Sequence, residues 1–383
     1  MNAKPKVLQI LGNPAIGGTE TFVLATSNFL RRSGMDVRIA NFWDDSDVAD
    51  LADREGIPYI QLRGGKRRFR LTSLARLYAL QREEQFDVIC GYGLRVSLIV
   101  RFVATICPQV VFITGLRGID TWRRRRHVWI DRWTQNLVDY FVGCSQEVCM
   151  TRHRREKTPM NRLICISNGI DSQYFCPHGP KWPSRKQLGL PNGRLCVTVA
   201  NFRPHKGHAF LLHALSRIPD IPEDVHFLWV GSGASEQMLK DTAAKLGLAD
   251  RISFYGAVRD VRPILAASEF FILPSREEGM PRALMEAMAM ELVCLATDVG
   301  GTAEVLRDGI EGFLVPYGDV DSAAARMKEM LKFGASRKQF GLNARRRICN
   351  EFDLRRHAEK YAEVYTALLL GRQEAHKFTM AAT

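Results

Sequence analysis

The sequence has no uninterrupted apolar stretch near the roughly 20 residues a membrane-spanning helix needs; the run around Val96–Val100 stops at Arg101. It also lacks a signal-peptide pattern at its start, because Lys4 and Lys6 lead directly into the short run Val7–Leu11 and then Gly12. No Cys-x-x-Cys pair occurs, and the nine cysteines are scattered and odd in number. That argues against a zinc site or a disulfide framework and for reduced thiols in the cytoplasm. Neither Gly-x-Gly-x-x-Gly nor Gly-Lys-Ser/Thr is found, which removes the dinucleotide fingerprint and the P-loop. No convincing Asp-x-Asp pair or histidine cluster is available for a divalent ion. Repeats and low-complexity tracts are missing as well.

What is present suits two domains. The 383 residues exceed one ordinary core, and a 46% hydrophobic share can fill two. Short apolar strands alternate with amphipathic helical stretches in both halves. Val7–Leu11, Val37–Phe42, Val88–Cys90, Val110–Thr114, Tyr140–Cys144 and Leu163–Ile166 read as strands of the first half. Leu195–Ala200, His226–Gly231, Ile252–Tyr255, Phe270–Leu273 and Val293–Thr297 do so in the second. This alternation predicts an α/β protein with two doubly wound, Rossmann-like parallel sheets. Pro177–Pro180 and Trp182-Pro183 suit a linker. The expected division is therefore 1–178, 179–352, a helix over 353–371 returning to the first domain, and a disordered tail over 372–383. Ligands of such sheets bind beyond the carboxyl ends of the strands, so two facing domains would form a cleft for a nucleotide conjugate.

Net charge is +13 and uneven: residues 1–180 hold 26 Lys/Arg against 17 Asp/Glu, and residues 181–383 hold 28 against 24. An anionic membrane or an acidic acceptor would suit this excess. No nucleic-acid-reading motif accompanies it, so nucleic acid is not an expected partner. Two basic clusters stand out, Arg63–Arg70 and Trp122–Trp133. In the latter Trp122, Trp129 and Trp133 are spaced to share one helical face. That face either enters the core, leaving solvated arginines opposite, or rests on anionic lipid.

Three loops carry chemistry. Gly12–Glu20 follows the first strand and opens a helix whose N-terminus favours negative charge, with Gly17 and Gly18 allowing close backbone approach. Ala200–Gly207 follows the first strand of the second half and offers Arg203 and Lys206 to a diphosphate. Pro274–Ala289 sets Glu278 in a loop, Pro281 at a helix start and Glu286 in the second helical turn, among Ala283, Leu284, Ala287 and Met288. The helix N-terminus can hold a phosphate, and Glu286 can clamp ribose hydroxyls.

Taken together these segments resemble the retaining GT-B glycosyltransferases of group 1, or family four. Glu278…Glu286 matches the E-x-seven-E motif of that family, and Gly17-Gly18-Thr19-Glu20 its glycine loop. Further matches are Asn168–Asp171 with Phe175, Val230–Gly233, and Asp298–Gly309, so the likeness spans residues 7 to about 318. The resemblance implies transfer of a sugar from a nucleotide diphosphate sugar to a glycan or lipid-linked acceptor, with retention and without a metal or other cofactor. Cell-surface polysaccharide, lipopolysaccharide or glycolipid synthesis is the implied setting, in the cytoplasm or on the inner face of the membrane. Rival readings are a nucleotide-sugar 2-epimerase of the same fold and a non-catalytic nucleotide-sugar-binding protein.

The implied donor set is Gly17, Gly18, Arg203, Lys206, Glu278, Gly279, Met280, Pro281, Leu284 and Glu286, with Glu278 on the donor sugar and Glu286 on the ribose. Two departures from the family pattern matter. Asn201 stands five residues before Lys206, where the family often has its diphosphate arginine, so Arg203 is expected to substitute. Thr114–Asp120 contains no histidine where many members have one, so Arg117 or Asp120 is expected on the acceptor and sugar side, beside Glu278 as the catalytic set.

Overall fold

A computed structural model describes residues 5–43, 47–62, 71–179, 182–332, 334, 336–370 and 378–380. The basic cluster Arg63–Arg70 lies outside the described residues. The chain divides into two compact units, one comprising Met1–Gly169 with Leu354–Thr383 and the other Ile170–Asp353.

The first unit is a seven-stranded parallel sheet in the order β3-β2-β1-β4-β5-β6-β7. Its strands are β1 (Lys6–Leu11), β2 (Asp36–Asn41), β3 (Tyr59–Gln61), β4 (Val88–Tyr92), β5 (Val111–Leu116), β6 (Tyr140–Gly143) and β7 (Leu163–Cys165). Helices α1 (Gly18–Arg32), α2 (Asp47–Arg54), α3 (Leu71–Glu84), α4 (Leu94–Ala104), α5 (Arg125–Thr134) and α6 (Gln146–Glu156) fill the crossovers. Alternation along β1 feeds two separate cores. Val7 and Leu11 join Phe22 and Leu30 of α1, whereas Leu8 and Ile10 join Leu77 of α3 and Val96 of α4. Each such side chain withdrawn from water stabilises the fold by about 1.5–3 kcal/mol.

The polar exception in β1 is Gln9, which is buried and satisfied at both ends. Its amide donates to Tyr365 at 3.0 Å and its carbonyl oxygen accepts from Tyr92 at 2.8 Å. Tyr365 belongs to the last helix of the chain, numbered below, which thus packs on α1 and completes this core with Tyr361, Val364 and Leu368.

The second unit is a six-stranded parallel sheet in the order β10-β9-β8-β11-β12-β13. It contains β8 (Arg194–Val199), β9 (Val225–Val230), β10 (Ile252–Gly256), β11 (Phe270–Leu273), β12 (Val293–Thr297) and β13 (Gly312–Val315). Its helices are α7 (His208–Leu215), α8 (Glu236–Lys245), α9 (Arg262–Ala266), α10 (Arg282–Ala289), α11 (Thr302–Val305), α12 (Val320–Leu331) and α13 (Ser336–Glu351); α14 (Leu354–Leu370) is the helix of the first unit. The strand order reverses between β8 and β11, which makes the space beyond their carboxyl ends the expected ligand position.

Two boundaries differ from those expected of the sequence. The chain enters the second unit at Ile170, not after residue 178, because 170–178 is tied there. Phe175 is buried, Arg345 donates to its carbonyl at 2.9 Å, and Ser172 Oγ donates to Asp353 at 2.5 Å. At the other end Phe378–Met380 does not fit a disordered tail, since Thr379 is buried and bridges Ile164 of β7 in antiparallel fashion.

Candidate functional site

In the second unit, the loops after β8 and β11 meet. Gly207 closes the first loop with φ 73°, and a Cβ there would stand 1.7 Å from the carbonyl oxygen of Pro274, so only glycine fits. The Arg276 amide donates to the His205 carbonyl at 2.8 Å and ties the loops again. This apposition brings Lys206 Nζ to 2.7 Å from Glu278 Oε1, an oxygen that also accepts from Ser275 Oγ at 2.7 Å. Arg203 precedes the single 3-10 turn Pro204–Lys206 and is exposed, with its guanidinium unpaired among the described residues.

Pro281 is the residue before α10 and ends the β11–α10 loop, as its fixed φ favours. Gly279 and Met280 are buried beneath that turn, and the Gly279 carbonyl accepts from the Gly301 amide at 3.1 Å. Leu284 is wholly buried in the core, so only its backbone N–H, one of the unpaired donors of the first helical turn, can serve a ligand. Glu286 sits one turn further on and is also buried. Burial raises its pKa, Arg282 opposes that shift through a 2.7 Å bond from its Nε, and nearby Asp260 adds to it. The solvated-face alternative for Glu286 is thereby excluded. Arg282 and Ser275 were not singled out in the sequence; the signal for Arg282 was its i,i+4 spacing from Glu286.

In the first unit, Gly17 precedes α1 and its N–H is taken by Glu20 at 3.1 Å, so this amide is already engaged. A Cβ at Gly18 would meet nothing within 4 Å. Packing inside the unit therefore does not demand glycine at 18, and the open first turn of α1 begins there.

Arg117 departs from the expected catalytic placement. Its guanidinium donates to Asn168 Oδ1 and to Tyr361 OH, both at 2.8 Å, and lies 3.9 Å from the centre of the Phe22 ring. It is committed to joining the β5 loop to α1 and α14. Asp120 takes the left-handed conformation, φ 55°, and accepts from Trp122 Nε1 at 3.2 Å.

The aromatic stripe also differs from expectation. Trp122 lies before α5, not on it, and packs on His127. Trp129 and Trp133 stack on each other at 5.2 Å and are 58% and 73% exposed, which rules out the core-facing alternative. Phe102 and Ile106, at the end of α4 and just beyond it, are exposed as well. Arg123, expected among solvated arginines, instead turns its side chain inward, where it is 4% exposed. No helix among the described residues is long and apolar enough to cross a membrane.

Residues 16–174 match the family described as Glycosyltransferase Family 4, and residues 180–347 match Glycosyl transferases group 1. The chain belongs to the group 1 glycosyltransferases. It is 26% identical over 321 residues to the UDP-Gal:alpha-D-GlcNAc-diphosphoundecaprenol alpha-1,3-galactosyltransferase of Escherichia coli, covering 79% of this chain and 81% of that one. It is 28% identical over 309 residues to the N-acetyl-alpha-D-glucosaminyl L-malate synthase of Bacillus anthracis, covering 78% and 79%. Among solved structures, Anabaena HepE in complex with UDP and glucose aligns with a TM-score of 0.84 at 20% identity, over 95% of this chain and 100% of that one. A glycosyltransferase from Rickettsia africae aligns with a TM-score of 0.82 at 20% identity, over 96% and 99%. These likenesses establish the shared two-domain GT-B fold. The glycosyltransferase uses a nucleotide sugar as donor.

Proposed function

We propose that this glycosyltransferase moves a sugar from a nucleotide diphosphate sugar to a glycan or lipid-linked acceptor, with retention of configuration, in cell-surface polysaccharide or glycolipid synthesis. The observation that carries the donor assignment is the convergence of Lys206, Glu278 and Ser275 at the switch point between β8 and β11, one helical turn from buried Glu286. In this reading the diphosphate lies against Lys206, Arg203 and the first N–H groups of α10, beneath which Gly279, Met280 and Pro281 shape the turn. Glu278 holds hydroxyls of the donor sugar, and Glu286, steadied by Arg282, holds the ribose. Chemically, an acceptor hydroxyl oxygen bonds to the anomeric carbon as the bond from that carbon to the diphosphate breaks. The departing phosphate oxygen takes the acceptor proton. Growing negative charge on the leaving group is met by Lys206 and Arg203, so the reading requires no metal; transfer that persists in EDTA is the expected result.

The lipid-linked acceptor is supported by the Escherichia coli relative, a galactosyltransferase whose acceptor is a diphosphoundecaprenol conjugate. The exposed Trp129–Trp133 stack beside Arg124, Arg125 and Arg126 supports attachment to the cytoplasmic face of an anionic membrane. A thermal-shift screen of UDP-, GDP- and ADP-sugars tests the donor assignment, followed by transfer assays with the stabilising donor. Stabilisation by none of them would refute it.

A further inference from the structure

Away from the switch point of the first unit, the β5–α5 loop and α6 line a shallow recess open to solvent. Its wall includes Gly118, Asp120, Thr151, Arg123, Arg152 and Arg155. Thr151, Arg152 and Arg155 fall at i, i+1 and i+4 along α6, which turns this side of the helix to the pocket. Behind the wall lies a buried ionic network. Asp131 binds Arg101, Arg123 and Arg152, and Glu156 binds Arg123 and Arg155. Burial alone would raise the Asp131 pKa, but Arg152 and Arg101 hold it well below the usual carboxylate range.

The charges in this network do not balance. Four guanidinium groups face two carboxylates, and counting Asp120 at the pocket wall still leaves a positive surplus. A network serving only to knit α5 to α6 gains nothing from surplus charge, because every uncompensated buried ion adds desolvation cost. The hydrogen-bond donors tell the same story. Arg152 spends all three nitrogens on Thr158 and Asp131. Arg155 gives Nε to Glu156, and Nη1 to the carbonyls of Ile119 and Asp120 at 2.8 and 3.3 Å, leaving its Nη2 unengaged among the described residues. Arg123 commits both Nη atoms to carboxylates, while its Nε is buried without a hydrogen-bond partner among the described residues. The Arg155 bonds also fix the loop at Asp120, whose left-handed backbone conformation is one that non-glycine residues adopt mainly where the surroundings impose it.

We propose that this pocket is an oxyanion subsite, taking a phosphate or carboxylate group of the acceptor through Arg155 and the positive surplus of Arg123 and Arg152. Binding of the oxyanion rests on this local geometry; its assignment to the acceptor rests on the transferase reading above. A phosphate could arrive on a soluble acceptor or on a lipid, and the two sources separate experimentally.

The full chain is titrated with sodium phosphate against sodium chloride of equal ionic strength, following Tm, and is separately floated with phosphatidylcholine vesicles containing phosphatidylglycerol. The wild type is expected to show a saturable rise in Tm with phosphate. Lys206→Met, which disables the cationic loop of the other unit, keeps that rise, whereas Arg155→Gln weakens half-saturation about tenfold or more. Arg155→Lys, which retains the charge, recovers part of it. Should Arg155→Gln unfold in chloride, Arg155→Lys and Thr151→Val carry the comparison. Loss in the phosphate arm identifies a soluble anion, and loss confined to the vesicle arm identifies a lipid phosphate. Insensitivity of both arms to Arg155→Gln, or a phosphate effect abolished by Lys206→Met alone, overturns the subsite. Nucleotide-sugar stabilisation measured on the same variants keeps the two readings apart. If it persists without an Arg155-dependent anion effect, the subsite alone falls; if it is missing while that effect remains, the donor assignment alone falls.

Discussion

Replacing Lys206 with methionine separates a ligand-binding lysine from a structural one. Its amine lies 2.7 Å from Glu278 Oε1, and the two side chains are 23% and 11% exposed. In the ligand-free protein the pair is largely but not wholly withdrawn from water, so its loss destabilises the fold by about 1–2 kcal/mol. Ser275 Oγ still donates to the same carboxylate oxygen, which keeps Glu278 from being left bare. With donor bound, the substitution removes a charge-assisted contact to the diphosphate, about 1.5–3 kcal/mol, or roughly 10- to 150-fold in affinity. Glu278, deprived of its counter-charge, would also repel the phosphates, and Lys206→Met/Glu278→Gln should recover part of the loss. Calorimetry with whichever of UDP, GDP or ADP most raises the wild-type Tm measures the effect. Affinity within about threefold of wild type would refute the reasoning, since even a weak charged contact is worth more than that. A large fall in ligand-free Tm would instead make the lysine a structural brace between the two loops.

Asp131→Asn should destabilise the first unit by about 3–5 kcal/mol, because it leaves Arg101, Arg123 and Arg152 buried around a neutral group; denaturant titration reads it, and a cost below about 1 kcal/mol would show the network to be dispensable. His208 is buried between Phe202 and Trp229 without a hydrogen-bond partner among the described residues, and burial, aided by Lys206, lowers its pKa to about 4. The unfolded chain therefore takes up a proton that the folded one refuses as pH falls from about 6.5 to about 4, so stability is present above that window and declines through it by about 3 kcal/mol. His208→Leu should flatten this decline between pH 6.5 and 5, where few carboxylates titrate, and an unchanged slope would remove His208 as its source. Flotation with anionic vesicles should drop on Trp129→Ser/Trp133→Ser and, in a salt-sensitive way, on replacing Arg124, Arg125 and Arg126 with glutamine; binding indifferent to both would leave the stack without a membrane role.

The central strands were legible in the sequence because β1, β4, β5, β8, β11 and β12 are apolar on both faces, as parallel strands covered by helices must be. The edge strand β3 escaped notice, being three residues long and half-exposed. β13 was hidden by the turn-rich sequence on either side of its four residues. At the donor site the spacing of Glu278 and Glu286 was informative because the chemistry is local to one loop and one helix. Partners distant in sequence were not. Nothing near Arg117 announces Tyr361 as its acceptor, and the run of arginines at 123–126 conceals that the first of them turns inward to Asp131 and Glu156. A run of like charges reads as solvated until the carboxylates it answers to are found on other helices.

The second unit is continuous in the chain, whereas the first is closed only by α14. Its two ends, Ile170 and Asp353, bridge one another, so the whole of 170–353 is threaded through one narrow place in the backbone. Synthesis on a ribosome therefore delivers a complete second unit while the first still lacks Tyr361, Tyr365 and Leu368. Until those residues emerge, the apolar face of α1 and the amide of Gln9 have no cover. A premature stop between Asp353 and Tyr361 would thus leave the later-made unit able to fold and the earlier-made one exposed to aggregation.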